Sequence, residues 1–132
     1  MKFLFAVLLL LAFVACAIGS ISVGTGISDI TGPAVEINLM GYAVPNQRGT
    51  GIHLRLRARA FVFVDESSGK RAAFVSIDGG MASDLVKLKV IDAIRVKLDG
   101  QDLYSDDNLA ISGTHTHSGP AGFLQYVLYQ VL

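Results

Sequence analysis

Residues 52–64 read IHLRLRARAFVFV, and this stretch decides the class of fold. One set of alternate positions carries Ile52, Leu54, Leu56, Ala58, Ala60, Val62 and Val64; the other carries His53, Arg55, Arg57, Arg59, Phe61 and Phe63. Successive side chains on a strand point to opposite faces, so a period of two kept up over this length predicts one long strand, Ile52–Val64. Downstream, the turn-forming run Asp65-Glu66-Ser67-Ser68-Gly69-Lys70 is followed by apolar Ala72–Ile77, which predicts a hairpin. The period then changes. Leu85, Leu88, Ile91, Ile94 and Leu98 recur three or four residues apart, Ser83 stands at the capping position, Asp84 in the first turn and Gly100 at the stop, so a helix is predicted here. Leu109–Gly113 reads as a short strand that delivers the chain to Thr114-His115-Thr116-His117-Ser118-Gly119-Pro120.

Upstream, Ile21–Ile30 (ISVGTGISDI) is β-branched and Gly-rich and predicts a strand with a closely packed backbone. Asp29, Thr31, Gly32 and Pro33 make a turn. Ala34–Asn46 has no regular period and reads as an ordered loop, where Gly41 between Met40 and Tyr42 marks a close approach of backbone to a neighbouring group. Ala121–Leu132 is apolar and aromatic and reads as the start of another helix, with Leu124, Val127, Leu128, Val131 and Leu132 on one face and nothing after it to bury that face. The expected fold class is therefore α/β, a layered system cut off in mid-build.

The bulk numbers narrow the class of function. The chain has 132 residues, zero formal net charge, 52% apolar and 17% charged residues. Zero net charge removes the electrostatic argument for nucleic acid or an anionic membrane as the main partner. Cys16 is the sole cysteine, which excludes an internal disulfide framework and a zinc–thiolate cluster. Met1-Lys2, the apolar run Phe3–Val14 and the small–x–small triplet Ala15-Cys16-Ala17 predict a signal peptide over residues 1–17 and hence a secreted product of residues 18–132. Twelve helical residues would span about 18 Å, short of the roughly 30 Å hydrocarbon core, which argues against a membrane anchor. A lipid-modified Cys16 is the rival, and Phe13 fits it poorly.

His115 and His117 are the sharpest chemical feature. Positions i and i+2 of an extended segment point to one side, so both imidazoles can reach one ion or substrate. The bland alternative is that they satisfy loop backbone groups. A zinc site needs three or four ligands, so two histidines cannot complete one. Asp78 sits at a strand end and reads either as a functional carboxylate or as a turn cap. Asp106 and Asp107 read as solvated turn residues, Glu36 as a lone candidate, and His53 as structural. Arg55, Arg57 and Arg59 would bind anions if free; such a row more often faces solvent or pairs with acidic residues. Gly24-Thr25-Gly26 lacks the Lys-Ser/Thr and helix of a phosphate loop.

Three longer stretches carry a family resemblance: DITGPAVEINLMGYAVPNQRGTGIHLRLRARAFVF at 29–63, FVSIDGGMAS at 74–83 and SGTHTHSGPAGFLQY at 112–126. The chain resembles the neutral ceramidase family from about Val23 onward. The resemblance implies a zinc-dependent hydrolase that splits the amide bond of ceramide into sphingosine and a free fatty acid, of which this α/β chain is the incomplete amino-terminal part of a mixed-sheet catalytic domain. It implies that His115 is a zinc ligand, that His117 lies beside the metal as a catalytic and substrate-binding group, and that Gly41 lines the head-group pocket. It also implies further ligands (a histidine, a glutamate and a tyrosine) and an active-site serine downstream of the residues given, so the segment alone is expected to be inactive. Ceramide is the expected partner, with association at a membrane surface compatible with a lipid substrate and no role for nucleic acid. Two other readings keep part of this: a zinc amidase acting on another acyl amide, and a secreted, non-catalytic remnant that binds lipid or a partner.

Overall fold

A computed structural model of the chain describes residues 19–41 and 43–128. The leader read at residues 1–17 lies outside the described residues. The elements run β1 (Ile21–Asp29), β2 (Val35–Asn38), β3 (Arg48–Thr50), β4 (Arg57–Asp65), β5 (Arg71–Ile77), α1 (Asp84–Lys97) and β6 (Leu109–Gly113). Four strands form a mixed sheet in the order β1-β4-β5-β6, and β2 pairs with β3 in a small second sheet. β4 lies between β1 and β5, antiparallel to both, while β6 runs parallel to β5. A parallel neighbour needs a crossover, and α1 supplies it.

The hairpin, the helix and the last strand lie where the sequence pattern puts them. Ser83 caps α1, its Oγ accepting from the Val86 N–H at 3.4 Å. At the other end Asp99, not Gly100, takes the first left-handed position (φ 52°), and Gly100 follows at φ 84°. The Gly100 N–H donates to the Arg95 carbonyl at 2.9 Å and the Asp99 N–H to that of Val96 at 3.3 Å, which is the Schellman arrangement. The core lies between α1 and one sheet face. Ala73, Ile91 and Leu109 are buried, and Val62, Val75, Val90, Ile94, Tyr104 and Ile111 pack around them.

Three expectations change. The long strand starts at Arg57 rather than Ile52, because its partners give out there. Asp29 pairs with Arg57, the chain then turns, and the last bonds run from the Ile30 N–H to the Leu56 carbonyl (3.0 Å) and from the Leu56 N–H to Thr31 Oγ1 (2.9 Å). Alternation continues upstream without a ladder to join. The segment read as a loop holds β2, whose register slips between Val35 and Asn38, with Glu36 at φ 60°. That irregularity hides the strand from a period search. The closing helix read over 121–132 is helical only at 127–128 among its described residues, where Leu124 is buried and Val127 exposed.

β1 departs in detail from the close packing expected of it. A Cβ on Gly24 would lie 3.9 Å from Val62 Cβ, and one on Gly26 would meet nothing within 4 Å among the described residues. The sheet face away from α1 presents Val23, Ile27, Phe61, Phe63 and Phe74, all exposed among the described residues. In the same set no helix is long and apolar enough to cross a membrane.

The arginine row is neutralised locally. Arg57 and Arg55 reach Asp29 at 3.3 and 4.0 Å, and Arg59 reaches Asp78 at 2.9 Å. Asp78 Oδ2 also accepts from the Arg57 N–H at 2.9 Å, so this carboxylate ties the start of β4 to the end of β5. The Arg59 hydrogen bond, ahead of the others, holds the Asp78 pKa below its ordinary 3.8. A lowered folded pKa stabilises the fold above the ordinary value and withdraws that stabilisation as pH falls through the folded one. Urea unfolding followed from neutral pH downward should show Asp78→Asn less stable than the wild type near pH 7. The gap between them should narrow below about pH 4. A gap independent of pH would remove this role from Asp78.

Candidate functional site

The site forms where β5 and β6 end. Their parallel register sets Ile77 beside Gly113, so both strands finish level with each other. The following residues remain tied: the Thr114 N–H donates to the Ile77 carbonyl at 2.9 Å and the His115 N–H to the Gly79 carbonyl at 3.0 Å. Gly113 permits this approach, since a Cβ there would fall 2.7 Å from the Gly79 carbonyl oxygen. His115 then turns into the left-handed region at φ 61°, a conformation that side-chain-bearing residues seldom adopt outside functional or strongly constrained positions.

That turn brings His115 Nδ1 to 2.7 Å from the Gly80 carbonyl oxygen. A carbonyl only accepts, so Nδ1 carries the proton and the neutral ring keeps a bare Nε2. The His117 ring meets it edge-on, with centroids 4.9 Å apart and planes at 74°. The two Nε2 atoms are 3.4 Å apart. With Nε2 of His115 unprotonated, a hydrogen bond between them has His117 as donor.

A second loop closes on this pair. Leu39 bridges to Pro120, the Met40 N–H donates to the Gly119 carbonyl at 3.0 Å, and the Ala121 N–H donates to that of Asn38 at 3.0 Å. Gly41, at φ 75°, is thereby laid against His117; a Cβ on it would sit 3.2 Å from His117 Nε2. The sequence expectation of a close approach at Gly41 has its explanation in that ring. His115, His117 and Gly41 are thus brought together.

The other candidates stand apart from them. Asp78 acts as the strand tie described above. Asp106 is an exposed turn residue paired with Lys87, and Glu36 is exposed on β2. His53 lines a groove of about 570 Å³ together with Thr116 and Ser118, and neither His115 nor His117 borders it. Among the described residues no three His, Cys, Asp or Glu side chains come close enough to hold a metal ion together. Sequence reasoning missed Gly80 and Met40. The available signal was the Gly79-Gly80 pair directly after a strand, where bare backbone can approach a functional group.

This is a mixed-sheet α/β segment that carries a paired-imidazole site on adjacent strand ends. Residues 21–132 match the family model described as neutral/alkaline non-lysosomal ceramidase, N-terminal. The chain is 57% identical over 108 residues to neutral ceramidase 3 of Arabidopsis thaliana, a match covering 82% of this chain and 14% of that protein. It is 55% identical over 112 residues to neutral ceramidase A of Dictyostelium discoideum, covering 85% of this chain and 15% of that protein. The crystal structure of neutral ceramidase from Pseudomonas aeruginosa superposes with a TM-score of 0.79 at 42% identity, over 86% of this chain and 18% of that one. The chain belongs to the neutral ceramidase family and corresponds to its amino-terminal portion. It spans only about one seventh of the length of these curated relatives, as the 14% and 15% shares show.

The Gly41 contact is open to a direct check. Gly41→Ala adds a methyl group against His117 and forces a left-handed alanine, which should lower stability by about 1–2 kcal/mol. The nuclear Overhauser contacts between the two imidazoles should weaken with it. Wild-type stability and unchanged ring contacts would show that Gly41 does not seat His117.

Proposed function

We propose that this chain is the part of a secreted, zinc-dependent amidohydrolase that contributes the first metal ligand, His115, and a neighbouring catalytic and substrate-binding imidazole, His117. The proposed reaction is hydrolysis of the amide bond of ceramide to sphingosine and a free fatty acid, carried out by the whole protein. One observation carries the reading: His115 is held through Nδ1–H by a backbone carbonyl, which leaves Nε2 unprotonated with a lone pair that a metal ion can take. Zinc-bound histidines are oriented in this way, their other ring nitrogen donating to a carbonyl or carboxylate. The residues present therefore fit a zinc ion, with His115 Nε2 as the ligand atom. A complete site needs at least two more protein ligands, which fall to the remainder of a protein of the relatives' length.

When bound, zinc would polarise the amide carbonyl and lower the pKa of a bound water towards about 7. The work of this chain's residues is separate. His117 presents an Nε2–H beside the ligand atom, where it donates to the carbonyl oxygen as negative charge develops on it, or to a substrate hydroxyl. Gly41 leaves the space next to that ring open for the substrate's polar head. The Phe3–Val14 run and the small–x–small triplet support export, with cleavage after Ala17.

Two measurements on the complete protein carry this reading. His115→Ala should abolish ceramide hydrolysis and lower the zinc content by the same step, whereas His117→Ala should reduce turnover while most of the zinc stays bound. Full zinc occupancy in His115→Ala would remove it from the ligand set. Sequencing the amino terminus of the exported product should find Ile18 first; a product still carrying Met1 would overturn the leader.

A further inference from the structure

The Gly80 carbonyl selects the tautomer of His115, and a buried methionine packs against the α-carbon of the same residue. We propose that Met40 and Gly80 form a positioning pair for His115. The Met40 side chain lies on the Gly80 peptide and holds its carbonyl at the imidazole, keeping Nδ1 protonated and Nε2 bare. Met40 is 1% exposed, the most deeply buried of the core side chains among the described residues. Its own backbone is anchored by the bond to Gly119. Gly80 is buried as well, and a Cβ on it would lie 2.4 Å from Met40 Cγ and 3.1 Å from Met40 Cβ. The space a side chain at Gly80 would need is thus taken by Met40, which packs on the 79–81 loop. A buried peptide without room to rotate makes a fixed acceptor, and a fixed acceptor removes the tautomeric freedom that a neutral imidazole has in water.

The inference rests on the reading of His115 as a ligand through Nε2, and the test lets the two fail separately. Long-range ¹⁵N–¹H NMR of the full chain, metal-free and with the imidazoles neutral, reads which ring nitrogen of His115 is protonated. The wild type should show a protonated Nδ1 and a bare Nε2. Gly80→Ala should lose that pattern, with both nitrogens moving to averaged shifts as the tautomers mix. Met40→Ala, which removes the side chain that holds the loop, should lose the pattern as well.

A wild-type pattern in Gly80→Ala or in Met40→Ala overturns the proposal. If Gly80→Ala does not fold, seen as loss of amide dispersion, Met40→Leu and Met40→Ala decide it. The volume-conserving leucine should retain the pattern and alanine should lose it; one pattern in both overturns the pair. Failure of the ligand reading would show elsewhere, as unchanged zinc in His115→Ala of the complete protein with the NMR series as expected.

Discussion

The parallel pairing of β5 with β6 is the constraint on which the site depends. Antiparallel neighbours present the end of one strand beside the start of the next, whereas parallel neighbours finish on the same side. With Ile77 level with Gly113, the two exit loops leave together, and the Gly79 and Gly80 carbonyls come within reach of His115. The crossover helix follows from this arrangement, since α1 is the connection that makes β6 parallel. Its apolar stripe on Ala73 and Leu109 fixes the two strands as a unit. Open α/β sheets place their ligand sites at the carboxyl ends of parallel strands for the same reason.

Around those strand ends the structure is built from missing side chains. Gly113 admits the 79–81 loop, Gly80 admits Met40, and Gly41 admits the ring of His117. Each removes the atoms that would keep two backbones, or a backbone and a ring, apart. Met40 fills the interior that remains. A cluster packed in this way transmits small displacements, because it has no slack to absorb them. Charge has a lesser part: the nearby arginines are matched by Asp29 and Asp78, so the row contributes strand ties rather than a free anion-binding surface.

The sheet is asymmetric in what it buries. Its α1 face holds the core, while Val23, Ile27, Phe61, Phe63 and Phe74 stay exposed on the other face among the described residues. The alternation in residues 57–65 accounts for both faces, since a strand apolar on each side belongs in the middle of a layered domain rather than at its surface. This agrees with the length of the neutral ceramidases of Arabidopsis thaliana and Dictyostelium discoideum, of which this chain spans 14% and 15%.

The sequence by itself determined the order of the main elements and the chemistry available to them. Period two at 57–65 and 72–77, period 3.6 from Leu85 to Leu98, the Ser83 cap and the turn residues at 65–70 are local signals, and local signals survive without knowledge of partners. The His115–x–His117 spacing and the isolated Gly41 likewise marked residues that the fold brings together. Only the tertiary structure decided where β4 begins, because a strand lasts as long as its neighbours do, and only pairing revealed the bulged β2. It also decided how the two histidines meet. The extended geometry expected from i and i+2 is absent at His115, whose left-handed turn and bond to Gly80 aim the ring instead. The partners in that arrangement, Met40, Gly80 and Gly119, are far apart in sequence, and their contact is a property of the packed chain that no residue among them encodes alone.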